Sequence, residues 1–296
     1  MILRQKKTIP VEYLYSVAGG VSFLLVAMVS ARMMLVPIVT PTCEERYKQG
    51  VRFSWTRQNG QALATADLQA KLGGRDWGLN ESVRMRQIEG APAPVVLEVD
   101  FTVPSEVVEG NKEAARSGMG FTWLPKALQK ASAGCLSYSV WVPPDFDYGI
   151  GGVLPGLYAE EFAAVPNESG EVTGSKPFST RIHWRNDGGI DLVMTTQEDL
   201  ERFVPIESSS VRLGRGRWIR IDQEMVLNTT DDNGIQRVWI DGVLGFERTD
   251  IAYRSRLKQT MTGVSVDVHY VTDQMKWAPA TKNTRLLLSP LELLLE

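Results

Sequence analysis

The sequence is poor in the residues that most often carry metal chemistry. Its 296 residues hold only two cysteines, Cys43 and Cys135, and two histidines, His183 and His269. None of the four stands at a zinc-type spacing, so no metal and no other cofactor is expected. The two thiols either pair in an oxidising compartment, tying the start of the domain to a strand, or leave Cys135 as a plain buried residue of an apolar strand. A surplus of basic charge is also lacking, since the formal net charge is −3. Setting aside residues 1–39, which hold Arg4, Lys6, Lys7 and Arg32 against Glu12, leaves 28 basic and 34 acidic side chains. A domain of that sign has no electrostatic pull on nucleic acid, which excludes nucleic acid as a partner. It also counts against a polyanionic glycan, unless basic side chains gather locally. There is no internal repeat and no low-complexity tract, so solenoid and linker architectures are excluded as well.

What is present begins with a membrane signal. Arg4, Lys6 and Lys7 precede an almost uncharged run of 19 residues from Tyr13 to Ala31. As a helix that run spans about 28 Å, close to the hydrocarbon thickness of a bilayer. The basic flank predicts a cytoplasmic N-terminus and an extracytoplasmic main domain, periplasmic, lumenal or extracellular. The small residues Val29-Ser30-Ala31 offer the rival reading of a cleaved signal peptide. Apolar character resumes past Arg32, which favours a retained anchor. Residues 40–94 then read as a linker and lead-in. Within them VRFSWTRQ alternates like a strand, and ATADLQAKLGG has the start and glycine stop of a short helix.

From Val95 the pattern is β. PVVLEVDFTV, CLSYSVWV, FSTRIHWR, GIDLVMTT, WIRIDQEMVL, IQRVWID and GVSVDVHYV are β-branched and aromatic runs, separated by turn clusters such as TTDDNG and the Asp241-Gly242 pair. Many such runs with few helical ones predict an all-β fold, a jelly-roll β-sandwich following the transmembrane helix. LPKALQKASAG, residues 124–134, reads as one short helix. Period-two geometry divides FSTRIHWR into a core face, Thr180, Ile182 and Trp184, and an opposite row of donors, Ser179, Arg181, His183 and Arg185. Such a row suits sugar hydroxyls or carboxylates, and equally a solvated sheet face. Tyr148 and Tyr158 flank the glycine-rich stretch DYGIGGVLPGLY, which reads as a tight connection or an irregular strand edge. Both tyrosines are candidates for stacking on sugar rings. Trp277 is a third aromatic candidate, with a buried sandwich position as its alternative. Asn80, Asn167 and Asn228 head glycosylation sequons, a hint of a secretory route.

GGVLPGL, with SYSVWVP before it and FSTRIHWR, VWIDG and KWAPA after it, resembles the family 14 polysaccharide lyases, whose signature is close to GGKLPGL. The resemblance runs from about Val95 to about Leu288. It implies a cleft that holds a polysaccharide, in which a lysine, an arginine and a tyrosine pair divide the work of β-elimination on a uronate. That reaction needs the carboxylate neutralised, a base for the C5 proton and an acid for the leaving oxygen. Arg181 matches the family's arginine and Ser179 its companion. The lysine position holds Val153, and the tyrosine pair aligns with Leu192 and Met194, none of which transfers a proton. The expectation is therefore an anchor over residues 1–39, a lead-in over 40–94, and a lyase-like domain over 95–296 that binds polysaccharide, with a glycan synthesis or export machine as the candidate partner. An active lyase using Arg181, His183 and Tyr158 is the alternative, and a structural subunit with a protein in its groove is a third. An arginine without its lysine partner favours a neutral or sparsely charged chain.

Overall fold

The computed structural model describes residues 40–73, 75–103, 117–166, 172–198, 202–206, 212–229, 232–271 and 278–296. These form a sandwich of two antiparallel sheets, consistent with a jelly-roll-like fold, with three short α-helices. One sheet has nine strands. Its main path runs β15 (Val243–Ile251), β14 (Gly234–Ile240), β13 (Trp218–Val226), β6 (Ala133–Trp141), β17 (Thr284–Leu288), β4 (Val96–Phe101) and β3 (Val83–Arg86). Beside β6 also lies β18 (Leu291–Leu295), which pairs with β1 (Gln49–Phe53). The seven-stranded sheet runs β12 (Arg202–Pro205), β11 (Ile190–Thr195), β10 (Phe178–Arg185), β7 (Gly151–Ala159), β16 (Gly263–Tyr270), β5 (Gly118–Trp123) and β2 (Asp76–Trp77). A separate hairpin joins β8 (Phe162–Pro166) to β9 (Val172–Ser175).

The alternation in the sequence decides which face each strand buries. On β10, Thr180, Ile182 and Trp184 point between the sheets and are almost wholly buried. Trp184 packs there against Phe101, Phe146 and Tyr270, with ring centroids 5.7 to 6.4 Å apart. The Asp241-Gly242 turn closes the β14–β15 hairpin with both residues at positive φ, 50° and 78°, the geometry that matches strand twist. Helix α2 (Thr65–Leu72) starts where the Asp67 carboxylate accepts the Ala64 N–H at 3.0 Å, and it stops at Gly73 in the left-handed conformation.

Three features differ from expectation. The lead-in, residues 40–94, supplies strands to both sheets: β1 and β3 to one and β2 to the other. Residues 124–134 close only a 3-10 turn, Leu128–Lys130, because Ala133 and Gly134 are already committed to β6. The glycine-rich stretch from Gly151 onward is a central strand. Two glycines make this possible, because a Cβ on Gly152 would stand 1.9 Å from the Trp184 ring and one on Gly156 would stand 1.8 Å from the Thr180 carbonyl. Pro155 sits at a bulge: Gly156 faces Arg181 and Leu154 faces Ile182, with Pro155 left over. Its carbonyl is held from the opposite sheet, accepting Gln223 Nε2 at 2.7 Å and Tyr138 Oη at 3.0 Å inside the core.

Cys43 and Cys135 are joined as a disulfide, which resolves the alternatives left by the sequence. The bond ties helix α1 (Cys43–Arg46) to β6 over a small second core of Tyr47, Ala133, Trp239 and Leu294. Beside it the fully buried Glu224 accepts Tyr47 Oη at 2.5 Å and pairs with Arg46 and Arg237 at 2.7 and 2.6 Å. Among the described residues no helix is long and apolar enough to cross a membrane, and the run expected to do so lies in residues 1–39, outside them.

Candidate functional site

The outer face of the seven-stranded sheet carries the donors read from the sequence. Across neighbouring strands Arg181 pairs with Val193 on β11 and Gly156 on β7, while Ser179 pairs with Thr195 and Tyr158. Beyond β7, Gly156 faces Ser265 on β16, which in turn faces Thr122 on β5. These residues bound a cavity of about 390 Å³ lined by Thr122, Tyr158, Ser179, Arg181, Thr195 and Ser265, with Pro177 and Phe178 at its margin. Hydroxyl groups and one guanidinium dominate its polar lining. Arg181 Nε is buried and has no hydrogen-bond partner, and the guanidinium makes no ion pair among the described residues. Burial, and next the Glu160 carboxylate, raise the Tyr158 hydroxyl above the ordinary tyrosine value, so it stays protonated at neutral pH.

The other members of the donor row are spent elsewhere. His183 is buried between Val153 and Asp191 on the adjacent strands. Burial, with Arg181 and His269 nearby, pushes it down to about 3, so it is neutral at physiological pH. Arg185 is ion-paired to Asp191 and, at 3.5 Å, to Asp187, which uses its charge within the sheet edge. Tyr148 is not a stacking plate. It is only 8% exposed, its hydroxyl donates to the Leu213 carbonyl, and Arg215 lies 4.6 Å from its ring centroid, so no face is left for a sugar. Trp277 lies outside the described residues. Of the three sequons, Asn228 is 2% exposed and its Nδ2 donates to Arg254 O, which makes it a structural residue, whereas Asn80 is exposed. Asn167 lies outside the described residues.

The positions matched to the family's tyrosine pair face the core rather than the cavity. Leu192 and Met194 are fully buried between the sheets, and the side chains beside Arg181 and Ser179 are Val193 and Thr195. A one-residue slip in register moves every side chain to the opposite face, and the apolar alternation Ile190, Leu192, Met194 was itself the signal for the core face. Val153 is also fully buried and lies between His183 and His269 on its two neighbours. Sequence reasoning missed Thr122 and Ser265, although GVSVDVHYV puts Ser265, Asp267 and His269 opposite three valines.

Comparison with known proteins supports this reading of the sheet. The profile of the polysaccharide lyase 14 family matches residues 92–287. The chain belongs to the polysaccharide lyase 14 family. Solved family 14-like folds superimpose on it at low identity. Alginate lyase vAL-1 from Chlorella virus is 16% identical with a TM-score of 0.59, over 78% of this chain and 97% of its own. The marine PL-14 alginate lyase from Aplysia kurodai is 19% identical with a TM-score of 0.57, over 83% and 98%. Alginate lyase Aly36B is 14% identical with a TM-score of 0.56, over 84% and 99%. A search of curated protein sequences finds no match.

Proposed function

We propose that this family 14 chain binds a polysaccharide without cleaving it, as a single-pass membrane protein with its β domain outside the cytoplasm. The observation that carries the reading is the content of the cavity. Arg181 and Ser179 stand together at the cavity, and neither Val153, matched to the family's lysine by its motif, nor Val193 and Thr195, paired with them on β11, supplies a lysine or a tyrosine. Neither valine can accept the C5 proton or protonate a leaving oxygen, and a threonine hydroxyl does so poorly at neutral pH. What is left is a surface of hydroxyls around a guanidinium that has no ion pair among the described residues. The disulfide favours an oxidising compartment, in keeping with the outward orientation expected from the basic flank. A role beside a glycan synthesis or export machine fits an anchored, non-cleaving binder.

A second reading, an active lyase with a rearranged set of groups, is favoured by one feature: the Tyr158 hydroxyl shares the cavity with Arg181. The test is to titrate the purified full-length chain with alginate and neutral glucans while following absorbance of the unsaturated product. Binding with no rise in absorbance is expected. Arg181→Ala should weaken binding by about 1–3 kcal/mol, the range for a hydrogen bond to a charged group. Product above a heat-killed control would establish the lyase reading instead. No binding, with Arg181→Ala silent, would favour a structural subunit. The orientation is checked by protease added outside intact membranes, which should digest the domain.

A further inference from the structure

Next to the Arg181 cavity is a second one of about 530 Å³, and the two share Thr122 as a wall. Its lining comes from β1 (Phe53), the last turn of α2 with Gly73, Arg75, and Trp123 and Leu124 at the end of β5. We infer that the sugar-binding groove continues past Thr122 into this cavity, where Lys71 and Arg75 receive an anionic substituent, a carboxylate or a sulfate ester, of the bound polysaccharide. This rests on the reading of the Arg181 cavity as a polysaccharide site.

The argument is one of uncompensated charge. Of the acidic side chains closest in sequence, Asp67 is ion-paired with Arg57, while Asp76 accepts Gln69 Nε2 at 3.0 Å and keeps its charge, leaving two cations against one carboxylate on this stretch. Neither Lys71 nor Arg75 has an ion pair among the described residues, whereas Arg57, on the chain just before the same helix, has one. Lys71 Nζ is held 4.3 Å from the centroid of the Phe53 ring, against the cavity wall. A lysine in the last turn of a helix also answers the helix dipole, but Arg75 lies beyond that turn and has no such task. The Arg75 charge is felt at Tyr158, which links the two cavities electrostatically. Trp123, half-buried and 5.4 Å from Phe53, adds an aromatic wall against which a sugar ring can rest.

Opposing charge comes from two carboxylates: Glu160, which acts on Tyr158, and Asp267, which faces the groove, accepts the Ser265 hydroxyl and stands with Trp77 Nε1 over Gly120. From Arg181 to Thr122 there are three strand steps, through Gly156 and Ser265, or about 14 Å. A ligand touching both cavities must therefore be an oligosaccharide longer than two units. Phe53, Lys71 and Arg75 precede the family-matched residues 92–287. The acidic balance of the chain argued for a neutral ligand, and the fold reverses that locally by gathering Arg181, Arg75 and Lys71 along one path.

The test measures binding of alginate dimers and hexamers, dextran sulfate and neutral dextran to the full-length chain at low and high salt. The hexamer should bind more tightly than neutral dextran, with an affinity that falls as salt rises. Lys71→Ala/Arg75→Ala, both exposed positions, should weaken the hexamer about tenfold and leave the dimer unchanged. Dextran sulfate binding as tightly as the hexamer would assign the sulfate source, and weaker binding the carboxylate. Loss of binding in Arg181→Ala with no effect of the double substitution would overturn the second subsite and keep the groove. Absence of binding to every chain, with Arg181→Ala silent, would overturn the groove and this extension with it.

Discussion

The bulge that sets Arg181 opposite Gly156 is held from behind by two donors, and this makes a sharp energetic prediction. The Pro155 carbonyl is buried and accepts both Gln223 Nε2, at 2.7 Å, and Tyr138 Oη, at 3.0 Å. Removing either donor leaves the other in place. Tyr138→Phe removes two hydrogen bonds, its donation to Pro155 and its acceptance from Gln223 Nε2 at 3.1 Å, and should cost about 1–3 kcal/mol. Gln223→Leu should cost no more, because it also removes Gln223 Oε1, a buried acceptor with no partner among the described residues. The double variant strands the carbonyl in the core without any donor, a penalty of about 1–3 kcal/mol, offset in the cycle by the one Gln223–Tyr138 bond that both singles already lose. Urea unfolding of the four proteins gives the coupling energy directly. Affinity for polysaccharide should also drop most in the double variant, since the bulge then loses the contact that fixes Gly156 beside Arg181. A double variant more stable than the sum of the singles by over about 1 kcal/mol would refute the reasoning, because the stranded carbonyl would then carry no cost of its own.

Two further outcomes are expected. His183 is held at about 3 against an ordinary value of 6.5, so between those values the unfolded chain binds a proton that the folded one does not. Its contribution is present above pH ~6.5 and is lost as pH falls toward 3, by about 1.4 kcal/mol per pH unit. Thermal unfolding from pH 7.5 downward should therefore show a shallower loss of stability in His183→Gln, and parallel curves would contradict the burial of that ring. The Cys43–Cys135 bond closes a loop of 92 residues, which stabilises the fold by about 4–5 kcal/mol in the chain-entropy account. Cys43→Ser/Cys135→Ser should lower Tm by roughly 10 °C, and a fall under about 2 °C would show that α1 and the core around Trp239 hold without the crosslink.

The strands and their inward faces were legible because each rests on local alternation or local composition. Thr180, Ile182 and Trp184 announce a core face by spacing alone, and Asp241-Gly242 announces its hairpin by φ preference alone. The GGVLPGL motif and the Ser179-x-Arg181 step carried the family. What local pattern cannot convey is which strands become neighbours and in what register. Hence the sequence alone does not tell that Val193 and Thr195, and not Leu192 and Met194, lie beside Arg181 and Ser179 on the sheet. Tyr148 looked like a partner of Tyr158 because both flank one glycine-rich run, yet one side chain turns under Arg215 and the other opens on the cavity. Net charge was legible and acidic. Only the folding of residues 40–94 onto the same sheets brought Lys71 and Arg75 to a cavity that shares Thr122 with the one beside Arg181, because electrostatic potential depends on distances in space rather than on totals along the chain.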